Sequence, residues 1–353
     1  MHNGIHAEPQ TAADRAPERD RKRGLRVVTD LPIPQLPWWS DAVTVLPWPD
    51  RAGNLGVLTA AWNTIRCSRS ADAFVGSTLR NTVALGLFKR VTRRRRPIVV
   101  LTEMRLDEPQ PGWRWRLKLA IQRYAFRAVN LMCVSARQEA SVYAKRLRLP
   151  ADRFRFVPWH TNVLQPTACP ATGGHVFAAG RTGRDWRTLA DAVRDLPLRL
   201  TVVCSHQDAS TIAFPDNVTV LTDVPYATYR TLLEEAAIVV IPLEPHVYSS
   251  GQVVILEAMA LGKPVVVTRV TGSEDYVHDG VDGLLVAPGD ADEMRAALVG
   301  LFASSQRQQA LGAAALARVI EQHTLEHYAA RVLQIVEDVT GSDSRLSDRQ
   351  AQG

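Results

Sequence analysis

Long apolar runs are missing from this sequence of 353 residues, although 46% of its residues are hydrophobic. A membrane-spanning helix needs about 20 consecutive apolar residues, and no stretch approaches that length. The first 24 residues also lack the apolar segment of a signal peptide, so we expect no export. These absences predict a soluble globular protein, and the length is sufficient for two domains.

Cysteine is scarce. The four cysteines lie far apart in the chain, at Cys67, Cys133, Cys169 and Cys204. No pair has the close spacing that is typical of a metal site. We therefore expect unpaired thiols in a reducing cytoplasm.

Basic residues outnumber acidic ones by 42 to 36, which gives a net charge of +6 and a pI near 9.3. This excess favours anionic partners such as nucleotides, acidic lipids or nucleic acid. Arginine is concentrated in the first 23 residues and in the segment KRVTRRRRP, Lys89–Pro97. A solvated run of charge explains this segment as simply as a binding surface does.

Short β-branched segments alternate with amphipathic segments from Gly24 onward. Segments such as PIVVLTE and NLMCVS have the pattern of strands, whereas RQEASVYAKRLRL has the pattern of a helix. A second, clearer alternation follows His160–His175, which is rich in Pro, Thr and Gly and resembles a linker. The sequence therefore predicts an α/β protein with two Rossmann-like, doubly wound domains that face each other across a cleft.

The predicted organisation has five parts. They are a disordered basic tail at 1–23, an N-terminal Rossmann-like domain at 24–165, a C-terminal Rossmann-like domain at 166–323, a helix that packs back on the body at 324–339, and a loose tail at 340–353. Ligands of open α/β sheets bind beyond the carboxyl ends of the strands, so we expect the site in the cleft.

The segment YSSGQVVILEAMALGKPVVVTRV, Tyr248–Val270, places one carboxylate inside an apolar, helix-like run. Either serine can cap the helix, and Gly251 permits a close approach of the backbone to a ligand. Free amides in the first turn make an anion site. Glu257 follows Ser250 by seven residues, so it shares a helical face with the helix start and could accept two hydrogen bonds from a diol such as ribose. A glutamate that faces water or pairs with an arginine explains the spacing equally well.

The segment VVILEAMALGKPVVVTRVTGSEDYVHDGVDGLLVAPGDADEM resembles the donor-domain signature of glycosyltransferase family 4, whose members are retaining enzymes with the GT-B fold. The shared features are the Glu-Ala-Met-Ala run, Gly-Lys-Pro before a strand, and the Asp-Gly-x-x-Gly-Leu-Leu-Val-x-Pro-Gly-Asp stretch. AAGRTGRDWRTLADAV and YATYRTLLEEAAIVVIPL are similar to the same family. The resemblance covers roughly residues 175–340. The first half shares only the alternation of strand and helix patterns and the segment VNLMCVSARQEASVYAKRLRLP.

The resemblance implies a nucleotide-sugar donor site in the domain at 166–323 and an acceptor side in the domain at 24–165. Arg181 resembles the family's diphosphate-binding arginine, Arg184 stands where its lysine partner is usual, and Glu257 would hold the ribose. The implied catalytic residues are Arg181 and Glu257, and the implied donor-binding residues are Gly180, Arg184, Asp223, Val224, Ser249, Ser250, Gly251, Gln252, Val253 and Glu257. Of these, Asp223 and Val224 would line the base.

The implied reaction moves a hexose from a nucleoside diphosphate sugar to an acceptor hydroxyl with retention. Cations and amides that face the leaving nucleotide lower the barrier, and an arginine offers a bidentate fork to phosphate. We therefore expect no metal and no cofactor beyond the nucleotide-sugar co-substrate. The triplet Asp290–Asp292 resembles a metal-binding motif, but it stands at the start of a predicted helix.

The chain departs from the family pattern at three positions. An acidic residue usually stands eight positions before the ribose glutamate and contacts the donor sugar, and here this residue is Ser249. The segment LPIPQLPWWSD replaces a Gly-Gly loop. A histidine is frequent after a middle strand of the first domain, where this chain has LTEMRLDEP, so Glu103 or Asp107 would face the acceptor. A surface or capping role for either residue is the simpler alternative.

The segment GWRWRLKLAIQRYAFRAV gathers apolar residues on one helical face, at Trp113, Leu117, Ile121, Tyr124 and Ala128. Tryptophan with basic flanks is typical of helices at a membrane interface. This would suit a lipid-linked acceptor and a cytoplasmic protein peripheral to the inner membrane, although the acceptor could also be a polysaccharide. Packing of this face into the core explains the pattern equally well, and no nucleic-acid-binding module is evident.

Two other functions fit the sequence. A non-catalytic GT-B protein that binds a nucleotide or sugar and assists a partner enzyme is suggested by Ser249 in the place of an acid. A GT-B epimerase acting on nucleotide sugars is the third alternative, but its expected catalytic acids and histidine are not evident.

Overall fold

The computed structural model describes residues 25–31, 33, 36–45, 62–172 and 174–351. The basic tail predicted for 1–23 lies outside these residues. Within them, two six-stranded sheets carry the architecture, and every pair of neighbouring strands is parallel. The predicted α/β fold class is confirmed.

The first sheet and its helices come from the first half of the chain. The strands are β1 (Val27–Thr29), β2 (Val43–Val45), β3 (Ala73–Gly76), β4 (Ile98–Leu101), β5 (Leu131–Val134) and β6 (Phe154–Phe156). The helices are α1 (Pro37–Ala42), α2 (62–68), α3 (Leu79–Thr92), α4 (Trp113–Phe126) and α5 (Arg137–Leu147). The strand order is β2-β1-β3-β4-β5-β6, with Val27 opposite both Val43 and Ala73.

The second sheet begins after the linker. Its strands are β7 (Val176–Ala179), β8 (Leu200–Cys204), β9 (Val218–Thr222), β10 (Ile238–Ile241), β11 (Val265–Thr268) and β12 (Leu284–Val286). Its helices are α6 (Trp186–Val193), α7 (His206–Thr211), α8 (Tyr226–Glu235), α9 (Gln252–Ala260), α10 (Ala291–Phe302) and α11 (Ser305–Gln322). The order is β12-β11-β10-β7-β8-β9, so the chain reverses its direction of growth between β7 and β10. Such a switch point is the usual ligand site of a doubly wound sheet.

The central strands are apolar along their whole length because helices cover both faces of each sheet. Every residue of β3, β4, β5, β7, β10 and β11 is buried. This is the pattern expected of parallel sheets, in contrast to the alternating pattern of a half-exposed antiparallel sheet. The continuous Val and Ile runs therefore indicate where the central strands of both sheets lie in the sequence.

The last helix, α12 (Leu325–Ala351), returns to the first sheet. Its apolar side chains, including Tyr328, Val332 and Val336, join the core cluster formed by residues of β1, β3, β4 and β5. The helix continues through most of 340–353, the segment for which the sequence predicts a loose tail. That segment contains no proline, which permits the helix to continue.

The apolar face of α4 is exposed, so the expectation that it packs into the core is wrong. Trp113 is 69% exposed and Leu117 52%, and Ile121 and Tyr124 are also exposed. The helix instead buries Gln122, Ala125 and Phe126. Among the described residues, no helix has the length and apolar character needed to cross a membrane.

Candidate functional site

Two loops meet at the switch point of the second sheet. One follows β7 and runs from Gly180 to Asp185, and the other follows β10 and leads to α9. The Glu244 amide donates to the Gly183 carbonyl at 3.1 Å, and the Asp185 amide donates to the Pro242 carbonyl at 3.2 Å. The switch point therefore brings the predicted Arg181 segment beside the predicted Ser249–Val253 segment.

Arg184 forms the floor of the first loop. Its Nε donates to the Ala179 carbonyl and its Nη1 to the Thr182 carbonyl, both at 3.0 Å. Gly180 has a φ of +150°, and a Cβ at that position would collide with the guanidinium of Arg184. Burial lowers the pKa of Arg184 to about 10, and the nearby Tyr229 opposes this shift. Arg184 therefore remains a fixed positive charge near neutral pH.

Arg181 is exposed and already has an acidic partner. Its Nη2 lies 2.7 Å from Asp223 Oδ1, and His206 Nε2 lies 3.3 Å from Asp223 Oδ2. Asp223 follows β9 and has a φ of +48°, which turns the chain toward Arg181. The structure thus brings together two predicted donor-site residues, and a bound phosphate would compete with Asp223 for Arg181. Sequence reasoning missed His206, the first residue of a helix that Ser205 caps after β8.

The N-terminus of α9 lacks a side-chain cap. Gly251 at the N-cap has a φ of +88°, and a Cβ there would press against Leu243 and Ile241. Within the described structure, the buried atoms Ser250 Oγ and Gln252 Nε2 have no hydrogen-bond partner. Leaving a buried polar group unpaired costs on the order of 1–3 kcal/mol, which a ligand that accepts hydrogen bonds would offset. With the helix dipole, this arrangement favours an anion.

Glu257 lies on the second turn of α9 and is fully buried. Its Oε1 accepts from Asn162 Nδ2 at 3.0 Å and from the Tyr226 hydroxyl at 3.2 Å, and its Oε2 accepts from the Tyr229 hydroxyl at 2.6 Å. Burial and the Glu257 charge raise the pKa of Tyr229, which stays a neutral donor. The carboxylate therefore does not face solvent, and its hydrogen-bond partners among the described residues do not include an arginine.

The three partners of Glu257 were not predicted from the sequence. The tyrosines stand three residues apart in YATYRTLL, so they share a face of α8, and this spacing was the available signal. Val224 precedes them, partly buried, at the end of the loop after β9. Val253 is exposed on the first turn of α9. The segment predicted to line the base leads directly into α8, and α8 contacts the residue predicted to bind the ribose. The two predicted segments are therefore close together.

Ser249 faces the first domain. Its amide and its hydroxyl both donate to Glu139 Oε1, at 2.9 and 3.2 Å, and its Oγ lies 2.7 Å from Ser135 Oγ. The Ser249 amide is therefore occupied, in contrast to the first-turn amides of α9. Sequence reasoning missed Glu139, since nothing local to α5 indicates a contact with a loop 110 residues away.

The predicted acceptor-side residues occupy two different environments. Glu103 follows β4 near the carboxyl edge of the first sheet, where burial and then the charge of Asp30 raise its pKa to about 7. Asp30 follows β1 and accepts from Thr78 Oγ1 at 3.0 Å and from Asn81 Nδ2 at 2.7 Å. Asp107 is exposed and forms an ion pair with Lys118 at 2.5 Å.

The loop after β4 also contacts the donor side directly. Glu108 Oε1 lies 3.0 Å from His246 Nδ1, and the His246 ring stacks on Tyr248 at a centroid distance of 4.8 Å. The Arg105 guanidinium lies 4.2 Å from the Tyr248 ring centroid. These contacts join the LTEMRLDEP segment to the loop between β10 and α9, and they were not predicted from the sequence.

Asp290 acts as a helix cap. Its Oδ1 accepts from the Glu293 amide at 2.8 Å at the start of α10. In the part of the chain that the structure covers, no group of three or more His, Cys, Asp or Glu side chains could hold a metal ion. The acidic triplet at 290–292 is therefore explained by local helix chemistry.

Residues 181–304 match the protein family described as "Glycosyl transferases group 1". Sucrose synthase from Acidithiobacillus caldus is 29% identical over 128 residues, which cover 35% of this chain and 16% of that protein. D-inositol 3-phosphate glycosyltransferase from Mycobacterium avium is 34% identical over 146 residues, which cover 37% of this chain and 32% of that protein. The chain thus matches less than two thirds of the length of either relative.

Solved structures extend the similarity to the whole fold. HepE from Anabaena, in complex with UDP and glucose, superposes with a TM-score of 0.65 at 17% identity and covers 84% of this chain and 86% of its own. Sucrose-phosphate synthase from Thermosynechococcus elongatus superposes with a TM-score of 0.66 at 16% identity and covers 85% of this chain and 84% of its own. This chain therefore has the GT-B fold, and its residues 181–304 match the group 1 glycosyltransferases, the kind of protein that its motifs resemble.

Proposed function

We propose that this protein is a glycosyltransferase that moves a hexose from a nucleoside diphosphate sugar to an acceptor hydroxyl, with retention and without a metal. The observation that carries the proposal is the pair of unpartnered buried donors, Ser250 Oγ and Gln252 Nε2, at the uncapped start of α9. The loop that bears Arg181 and Arg184 lies beside them. The complex of HepE with UDP and glucose, a protein of the same fold, supports a nucleotide-sugar ligand.

In this proposal the diphosphate binds at the start of α9. The first-turn amides, Ser250 and Gln252 donate to it, and Arg181 exchanges Asp223 for a phosphate oxygen. Negative charge develops on the nucleotide as the bond to the sugar breaks, so these groups stabilise the transition state more than the ground state. Arg184 contributes a fixed charge from below the loop. The ribose binds Glu257, and Asp223 and Val224 line the base.

The acceptor side is assigned to the carboxyl edge of the first sheet. Glu103 is proposed to contact the acceptor hydroxyl, because a carboxyl group with a pKa of about 7 can hold or release a proton near neutral pH. Asp107 is exposed and paired with Lys118, which supports a place at the rim. The acceptor is proposed to be a lipid-linked sugar or a polysaccharide.

A peripheral contact with the inner face of a membrane is part of the same proposal. The exposed apolar stripe on α4 consists of Trp113, Leu117, Ile121 and Tyr124. It is flanked by exposed Arg114 and Arg116, and neither α3 nor α4 contains an acidic residue. Aromatic side chains with basic flanks suit the headgroup region of an anionic bilayer. This surface favours a lipid-linked acceptor.

A non-catalytic nucleotide- or sugar-binding protein remains the second function. The observation in its favour is Ser249, which stands in place of an acid and has its amide bound to Glu139. The two functions differ in turnover, since many transferases slowly transfer sugar to water whereas a binding protein releases no nucleotide.

The experiment combines binding and turnover on the full chain. UDP, GDP and ADP are tested by thermal shift, where a bound ligand raises the melting temperature by mass action. UDP-glucose and GDP-mannose are then incubated with the protein and the released nucleotide is measured. Binding together with release supports the transferase, and binding without release from any donor supports the second function. Absence of binding by all three nucleotides contradicts both.

A further inference from the structure

The junction between the two domains contains a buried carboxylate in the place where the acid is missing. Glu139, on the first turn of α5, is 1% exposed. Its Oε1 accepts from the Ser249 amide at 2.9 Å, from the Ser249 hydroxyl at 3.2 Å and from the Tyr143 hydroxyl at 3.2 Å. The loop before α9 is therefore bound by a carboxylate of the first domain.

The second oxygen of Glu139 binds its own helix end. Oε2 accepts from the Ser135 and Ala136 amides at 3.0 and 2.9 Å and from the Ser135 hydroxyl at 3.3 Å. Six contacts thus surround this carboxylate, and three of them come from backbone amides. Glu139 is thus both the cap of α5 and the link to Ser249.

The surroundings of this contact leave no room for a second acid. A Cβ on Gly272 would lie 2.7 Å from Ser249 Cβ and 3.0 Å from Ala136 Cβ, so the three segments are in van der Waals contact. An acid at 249 would place a second carboxylate against Glu139 in a buried site, which is costly because like charges cannot both ionise there. Ser249 and Glu139 are therefore a matched pair.

We infer that Glu139 is a positioning residue for the proposed donor site, bound to Ser249 at the position where the family that the chain resembles carries an acid. It holds the loop before α9, and hence the proposed donor site, against the acceptor side of the first domain. The carboxylate comes from the other domain, so the donor loop is fixed only while the two domains are in contact. This inference rests on the proposed function. We therefore expect nucleotide binding to depend on the second domain alone and turnover to depend on both domains.

The test compares Glu139→Gln with Arg137→Ala. Arg137 lies on the same turn of α5, and its exposed side chain pairs with Asp275 at 3.2 Å, so its loss controls for a weakened interface. For each folded variant, the Kd of UDP and the kcat of UDP-glucose hydrolysis are measured. We expect Glu139→Gln to lower kcat at least tenfold with a Kd within twofold of the wild type, and Arg137→Ala to change neither beyond twofold.

An exchange of charge provides the second test. Ser249→Glu alone should lower kcat. Adding Glu139→Ser should raise kcat at least threefold above that of Ser249→Glu, because the carboxylate then returns to position 249. A wild-type kcat in Glu139→Gln, an equal loss of UDP binding, or a double variant no better than Ser249→Glu overturns the inference.

A wild type that binds UDP but hydrolyses neither UDP-glucose nor GDP-mannose contradicts the proposed function alone. Small-angle scattering then decides the role of Glu139. A larger radius of gyration for UDP-bound Glu139→Gln than for UDP-bound wild type and Arg137→Ala supports the inference, and equal radii overturn it.

Discussion

The hydroxyl of Tyr226 covers the carboxylate that we propose for ribose binding, so its removal tests that assignment. Glu257 is fully buried, and three of its roughly four lone-pair sites are occupied, by Asn162, Tyr226 and Tyr229. A diol needs two sites, so one donor must leave. Tyr226 is 58% exposed and makes the longest of the three bonds, at 3.2 Å. We therefore expect the ribose to displace the Tyr226 hydroxyl.

Tyr226→Phe removes this competitor and keeps the ring, which lies 5.7 Å from the Tyr229 ring. A net hydrogen bond contributes about 0.5–1.5 kcal/mol, and a long, partly exposed one belongs at the lower end. We expect the variant to bind a nucleoside diphosphate about two- to fivefold more tightly, which corresponds to about 0.5–1 kcal/mol. Isothermal titration calorimetry with UDP and GDP, at one pH and ionic strength, measures this difference.

Tyr229→Phe is the matched control. Its hydroxyl donates to Oε2 at 2.6 Å from a partly buried position, so its loss leaves the carboxylate less well oriented. We expect weaker nucleotide binding by on the order of 1 kcal/mol. Weaker binding by Tyr226→Phe would refute the displacement, because Tyr226 itself would then contact the nucleotide. Unchanged affinity in both variants would remove Glu257 from the ribose site.

Three other predictions follow from the same geometry. Arg181→Ala should lower kcat/KM for UDP-glucose about 30-fold, which corresponds to about 2 kcal/mol, because a charge-assisted phosphate contact is lost. Turnover at the wild-type rate would contradict the role of Arg181. In the folded protein the pKa of Glu103 is raised from 4.5 to about 7, so folding favours the protonated carboxyl. The contribution of Glu103 to the free energy of unfolding is therefore most favourable below pH 4.5, and it is lost as the pH rises through 7. Wild type should therefore lose stability between pH 5 and 8 relative to Glu103→Gln, by at most on the order of 3 kcal/mol in urea unfolding, and parallel pH profiles would contradict this. Trp113→Ala with Leu117→Ala should reduce sedimentation with phosphatidylglycerol vesicles at least fivefold, and binding that is equal on neutral vesicles or insensitive to salt would argue against the membrane surface.

The fold was predictable because parallel sheets leave a local signature. The runs in β4, β10 and β11 are continuous Val, Ile and Leu, and they alternate with helices at the spacing of a doubly wound sheet. The position of the predicted donor segments beside one another was readable for the same reason. Arg181 follows β7 after Gly180, Ser250 precedes α9 before Gly251, and the carboxyl ends of neighbouring parallel strands meet at one edge.

Other parts of the site depend on contacts between segments far apart in sequence. Glu257 meets Tyr229 across 28 positions and Asn162 across 95, and Glu139 meets Ser249 across 110. Local periodicity carries no information on such pairs. The same limit explains the error at α4, since a period of 3.6 shows which residues share a face but not whether another element covers that face.

The described charged groups of the site already have partners within the protein. Arg181 is paired with Asp223, Glu257 accepts from two tyrosines and an asparagine, and Glu139 binds Ser249. The unpartnered groups at the start of α9 are neutral donors, for which burial costs far less than for an isolated charge. In the proposed function, a diphosphate would therefore bind these donors first, without breaking an existing pair, and Arg181 and Tyr226 would exchange partners only once phosphate and ribose are in place. The proposed site thus avoids an unpaired buried charge in the free protein and still presents cationic stabilisation when the leaving group becomes negative.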